Sequence, residues 1–318
     1  MMASLGRTVG LSLNFIHMTA LVRHPAKPGN NFDGNVNDLL TYDDPSPKSI
    51  LLPTGELQSG TTLRTDYDVA GVALGLLVEG EATNLLLQSD NIGTSSWQKR
   101  QGTAPASSQF RENTETNVHG FRQSVPVADG PLAWSMDVKG IGRDHVTLFG
   151  ETGAAFNNRF EAVVDLDAGV VVSIQDFGTW NGTTIDVGPV DVDRYRRIKI
   201  TTETGARGGD GTVWYYIAGH DGSNFVYTGD TNNGYDFRRG QFEVGAAVTS
   251  YIPTTTAAVT RNEDVILLPF SRFPWNGGNG ILEVDGIETA PTVMGDALRI
   301  VPRSGQTHVK SYRWVPAA

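Results

Sequence analysis

The sequence predicts an all-β protein built around an antiparallel sandwich, and three observations carry that reading. Short β-branched and aromatic runs recur at fairly even intervals, turn formers separate them, and no stretch of the middle region keeps a helical period for three turns. The 37 glycines and 15 prolines suit many short strands joined by tight turns. Apolar residues make up 39% of the 318-residue chain, enough to bury a sizeable core.

Residues 1–60 read as an extended attachment segment. Pro25 to Gly34 and Asp43 to Pro47 are clusters of turn formers, and only Val9 to Val22 and Ile50 to Leu52 offer apolar runs. Such a segment buries little alone and is expected to gain order by packing against a partner. Arg7 followed by Val9 to Ile16 has the outline of a signal peptide, but Asn14 and His17 interrupt it, so a cleaved signal is not expected. Residues 61–84 connect this segment to the sandwich, expected over 85–255.

Within 85–255 the strand-length runs are Leu132 to Val138, Val146 to Phe149, Phe160 to Val164, Val170 to Ile174, Arg196 to Thr201 and Val213 to Ala218. Turn signals at Asp167 to Gly169, Trp180 to Gly182, Gly208 to Gly211 and His220 to Gly222 divide them. Arg196 to Thr201 alternates charged and apolar residues, as a strand with one wet face does. Ser250 to Thr256 closes the sandwich. Residues 256–318 then form a smaller β unit with runs at Val265 to Leu268, Gly280 to Val284, Ala297 to Val301 and Val309 to Val315.

Charge and cysteine content narrow the function classes. With 25 basic and 35 acidic residues the net charge is −10, which repels phosphate backbones and offers no polybasic patch to an anionic membrane. No apolar run is long enough to cross a bilayer. Cysteine is absent, so neither disulfides nor thiolate metal sites form. The six histidines, His17, His24, His119, His145, His220 and His308, adjoin no nucleophile elbow and show no zinc spacing. No phosphate-binding glycine loop follows a strand.

Aromatic rings suit sugar binding, because a pyranose face stacks on a ring while polar neighbours bond its hydroxyls. Trp180 lies in the loop Phe177 to Gly182 with no evident packing duty, which makes it the leading glycan candidate. Trp214, Tyr215 and Tyr216 share one strand, so Tyr215 faces away from its neighbours and one side of the three is core. Trp97 and Trp134 are expected in the core. Asp230 to Asp236 places oxygen ligands at alternate positions around a glycine, like half a calcium loop, although turn residues are chosen for the same reasons without metal. Glu283, Asp285 and Glu288 approximate a glycoside-hydrolase strand, which needs two carboxyls about 5 Å apart. Asp285-Gly286 is equally a turn signal.

Two motifs bracket the sandwich. Leu74 to Ser89 reads LGLLVEGEATNLLLQS and is followed by Trp97; Gly240 to Thr255 reads GQFEVGAAVTSYIPTT, then AVTRNED ends at Asp264. In order and spacing they resemble the opening and close of a recurrent phage structural module, over about residues 50–264. The family occurs among tail-fibre, head-fibre and receptor-contact proteins. The resemblance implies a jelly roll similar to carbohydrate-binding modules and concanavalin-like lectins, with host surface glycans as partners. It also implies a virion location after assembly in the host cytoplasm, other virion proteins as neighbours, and self-association, with a trimer favoured. Neither nucleic acid nor membrane insertion is expected, nor enzymatic activity. No cofactor is implied beyond a structural calcium, for which the resemblance points to Asp90 and Glu243. Asn279 to Asp285 and His308 to Pro316 resemble the first and last strands of a laminin-G-like sandwich, but lie too close together for a whole one, so that unit is read as abridged. A free glycan-binding module and a lectin-fold glycosidase are the alternatives.

Overall fold

Alternating apolar and polar residues become antiparallel strands in the computed structural model, which describes residues 11–14, 19–22, 32–35, 39–42, 48–51, 57–60, 63–67, 72–152, 158–203, 211–272, 280–303 and 306–316. The fold is all-β with several antiparallel sheets. Among the described residues the only helix is a single turn, Phe270–Arg272. Residues 25–31, 43–47 and 208–210, where the sequence shows breaker clusters, lie outside the described residues. The chain forms two compact units, Ala82–Arg261 and a second that joins Met1–Glu81 to Asn262–Ala318.

The larger unit is built from twelve principal strands. They are β1 (Gln98–Arg100), β2 (Gly102–Ala106), β3 (Gln109–Glu112), β4 (Gly120–Pro126), β5 (Leu132–Ile141) and β6 (His145–Thr152). The remainder are β7 (Arg159–Asp165), β8 (Val170–Phe177), β9 (Thr184–Val190), β10 (Arg196–Thr202), β11 (Thr212–His220) and β12 (Gly234–Val244). Sheet one runs β1-β4-β11-β6-β7-β8 and sheet two β2-β3-β12-β5-β10-β9. Only β6-β7-β8 and the hairpins β2-β3 and β9-β10 stay within one sheet, and the other connections cross between sheets.

Alternate residues of the central strands point inward, and the two inner faces share one core, whereas the edge strand β8 leaves Val170, Val172 and Ile174 exposed. Trp134 of β5 meets Phe160 of β7 edge-on at 5.1 Å, and Phe121 of β4 meets Phe237 of β12 at 5.3 Å. Trp97 packs against Phe121, Phe237 and Tyr215, so both tryptophans expected in the core are there.

The bracketing motifs meet in space. The buried Asn84 amide donates to the carbonyls of Gly240 at 3.0 Å and Ile252 at 2.8 Å, and its oxygen accepts the N–H groups of Leu86 and Phe242. Ser89 bonds the Tyr251 hydroxyl at 2.6 Å, and Thr254 donates to the Leu86 carbonyl at 2.6 Å. Two segments some 160 residues apart are thus sewn side by side across the sandwich. These side chains reinforce backbone pairing, in which Ala82–Asn84 lies antiparallel to Val259–Arg261 and the Leu85 and Gln88 N–H groups donate to the Phe242 and Thr255 carbonyls.

The smaller unit departs from the division expected at residues 60, 84 and 255. Leu11–Asn14 pairs with Ser311–Pro316 on one side and Thr19–Val22 on the other, within a six-stranded sheet. Leu13, Leu39 and Leu40 share a core with Leu282, Leu298, Tyr312 and Trp314. Residues expected as a separate anchor therefore complete the C-terminal β unit. Strands of four residues bury too little to show a core locally, and their partners lie some 300 residues away. At the heart of this unit Arg64 meets Asp264 at 2.6 Å and Glu79 at 3.0 Å, all three buried. Burial opposes the Arg64 charge, but the two carboxylates outweigh it and raise its pKa.

Candidate functional site

Alternation along β11 decides the aromatic strand. Val213, Tyr215 and Ile217 enter the core, so Trp214 and Tyr216 stand on the outer face of sheet one. Register then places their neighbours. Trp214 lies between Ser124 of β4 and Glu151 of β6, and Tyr216 between Arg122 of β4 and Phe149 of β6. Further across, Arg159 opposes Glu151 and Glu161 opposes Phe149.

Tyr216 and Phe149 form a buried aromatic floor with ring centroids 5.5 Å apart, and Phe225 meets Phe149 edge-on at 5.4 Å. Burial pushes the Tyr216 hydroxyl up to about 12. Trp214 is only half-buried, and the Arg122 guanidinium sits 4.0 Å over its ring. Arg100 of β1 lies 6.0 Å from the Tyr216 ring. Arg159 pairs with Glu161 at 2.9 Å and covers the Phe177 ring at 4.1 Å. Glu151 is buried, which raises its pKa, while Arg122, Arg100 and Arg159 pull the other way. The face thus combines an aromatic floor, planar cations and carboxylates within one strip.

Trp180 is not part of it. Its side chain is 6% exposed, 5.8 Å from Trp134 and 5.5 Å from Phe160, inside the main core. Gly178 and Gly182 take positive φ (68° and 62°) on either side of it and let the loop fold back over the sandwich. The expectation of an exposed loop tryptophan is therefore corrected: the indole plugs the core.

The carboxylates named for calcium, Asp90 with Glu243 and Asp230 with Asp236, each engage protein donors. Asp90 accepts the Arg239 N–H at 2.6 Å and the Tyr251 hydroxyl, and Glu243 takes the Thr249 N–H at 3.1 Å. Asp230 closes its own turn through the Asn232 N–H at 2.9 Å, whereas Asp236 lies within β12 and pairs with Lys139 at 3.2 Å. Among the described residues no group of three or more His, Asp or Glu side chains is placed to hold a metal ion. Glu283 and Glu288 are cross-strand partners in a hairpin turned by Asp285 and Gly286, both at positive φ (52° and 76°). Glu283 pairs with Arg313 at 3.1 Å, and Asp285 accepts the Lys310 and Ser311 N–H groups.

A second polar cluster escaped the sequence reading. Buried Glu112 receives Arg143 through Nε at 2.9 Å and a terminal nitrogen at 2.8 Å, the Tyr227 hydroxyl at 2.7 Å and the Asp230 N–H at 3.0 Å. Burial alone would raise its pKa, but these donors hold it below the ordinary value. His119 stacks on Tyr227 at 4.9 Å, and burial lowers its pKa. Burial, then the neighbouring His145, lowers His220. Because both histidines resist protonation when folded, the unfolded chain takes the proton first below about pH 6.5. Their stabilising effect is complete above that pH and is lost as pH falls. The Glu112 contribution persists to lower pH and is lost as pH drops through its depressed folded value. Thermal melts between pH 8 and 3 should show Tm falling in two stages. The combined variant His119→Asn, His220→Asn should lack the upper stage. A Tm flat from pH 7 to 5 in the parent chain would contradict this assignment.

No protein-family model matches the chain, and no curated protein matches it significantly.

Proposed function

We propose that the chain is a non-enzymatic structural component of a phage particle, of the head- or tail-fibre or spike type, which contacts host surface glycans through the outer face of sheet one. The particle assignment rests on the two bracketing motifs and their resemblance to phage structural modules. The glycan assignment rests on one observation, the strip where half-buried Trp214 and the Tyr216–Phe149 floor lie beside Arg122, Glu151 and Arg159. Rings present apolar surface to the C–H face of a pyranose, and charged side chains make strong hydrogen bonds to its hydroxyls. In this reading the chain works beside other virion proteins, assembles with copies of itself and requires no cofactor.

Wild-type protein is expected to bind polysaccharide from the surface of its host, with Trp214→Ala weakening that binding by about tenfold or more, 1.4 kcal/mol per decade. Trp180→Ala should instead cost about 3–5 kcal/mol of stability, as large core truncations do. Isothermal titration and denaturant melts separate the two effects. Equal binding by the parent and the Trp214 variant would remove this face from consideration. A free glycan-binding module would share the site, and mass spectrometry of purified particles distinguishes the two, since only a virion component is recovered there.

A further inference from the structure

We infer that the glycan taken by this face is anionic, with its carboxylate or sulfate group received by Arg122 and Arg100 above the Trp214–Tyr216 strip. The inference rests on the glycan reading and names its ligand class.

The charge arrangement carries it. Several arginines of the larger unit are neutralised by carboxylates, and Arg196 is bound by the carbonyls of Leu166, Asp167 and Gly188. On the outer face of sheet two Arg197, Arg238 and Arg239 converge on buried Asp137, and Arg143 is held by Glu112. Arg122 and Arg100 differ. Among the described residues neither has a carboxylate within ion-pair distance, although acidic residues outnumber basic ones by 35 to 25. What holds Arg122 is the indole face at 4.0 Å and the Gln98 side-chain oxygen at 3.3 Å. A ring fixes a guanidinium without neutralising it, and a stacked guanidinium keeps edge donors in its own plane. That fork matches the two oxygens of a carboxylate or sulfate. Gly120, cross-strand from Arg100, and Arg122 are two residues apart on β4, so both cations reach one region of the sheet.

Glu151 supplies the complementary half. It is 6% exposed, sits across from Trp214, and accepts no hydrogen bond among the described residues. Strand β11 separates it from Arg122, so a ligand can place its acidic group over the arginines and a hydroxyl over Glu151. β4 and β6 lie two strand spacings apart, about 9.6 Å, so the acidic group and that hydroxyl can belong to neighbouring sugar units of one chain.

The test is direct binding of the full chain to a glycan panel holding matched pairs. Polygalacturonate is set against its carboxyl-reduced form, and a sulfated galactan against its desulfated form, alongside arrayed neutral and acidic oligosaccharides. At least one acidic glycan should bind tenfold or more tightly than its neutral counterpart, and its affinity should fall as salt rises from 50 to 500 mM. The pair that discriminates identifies carboxylate or sulfate as the source. Arg122→Gln should abolish the preference with Tm unchanged, and Arg122→Lys should retain part of it. Equal binding of acidic and neutral partners overturns the anionic inference while the glycan reading stands. Binding to no glycan on the panel overturns both.

Discussion

Asp264→Asn is expected to destabilise the smaller unit by about 3–5 kcal/mol, the cost of breaking a buried ion pair by removing one partner. Asp264 is 1% exposed and uses both oxygens. One accepts Arg64 at 2.6 Å and the Glu79 N–H at 2.7 Å, and the other accepts the Tyr42 hydroxyl at 2.8 Å. An amide at this position removes the charge and turns one acceptor into a donor aimed at groups that already donate. Arg64 would keep Glu79 at 3.0 Å and the Ser49 carbonyl at 3.1 Å, but half its compensation would be gone. Denaturant unfolding followed by tryptophan fluorescence reads the change, since Trp314 lies in the same core. The neighbouring Glu263→Gln is the control. Glu263 is half-exposed and pairs with Arg299 at 2.7 Å, so its loss should cost no more than about 1 kcal/mol. Equal effects of the two variants would show that the triad does not hold the unit together.

Glu79 lies within the opening motif and Asp264 ends the closing one, and this helps explain what the sequence could and could not disclose. The strands were legible because a period of two survives in short segments, as in Arg196–Thr202 with Ile198 and Ile200 buried. The Asp285-Gly286 hairpin was legible because a two-residue turn demands positive φ at both positions. Trp180 was misplaced because a loop tryptophan bounded by glycines reads the same whether it folds outward or inward. The packing of Leu13 against C-terminal strands was illegible for a different reason: no local pattern specifies a partner across the whole chain. The candidate face falls between these cases. Alternation showed that Tyr215 opposes Trp214 and Tyr216, but which side enters the core is a tertiary outcome. Arg122, Arg100 and Glu151 were missed because only the register of four strands drawn from residues 98 to 220 brings them beside that pair.

Asn84→Ala should lower the stability of the larger unit by about 4 kcal/mol, because it leaves several buried backbone groups unpaired at once. Each unsatisfied group costs about 1–3 kcal/mol, and partial relaxation keeps the sum below the maximum. Asn84 is fully buried and uses its whole amide, donating to the Gly240 and Ile252 carbonyls and accepting from the Leu86 and Phe242 N–H groups. No other side-chain type of that size offers two donors and an acceptor in one plane. Asn84→Asp isolates the donor half. A carboxylate keeps the contacts to Leu86 and Phe242 but confronts two carbonyls with negative charge in a buried site. At pH 7 it should therefore be at least as damaging as alanine. On acidification the folded variant gains a proton, so its deficit relative to the parent chain should shrink between pH 7 and pH 4. Paired urea titrations at both pH values give the comparison. If Asn84→Ala costs less than about 1 kcal/mol, the seam between the bracketing segments is held by the apolar contacts around it, and the hydrogen bonds of Asn84 are incidental to closure.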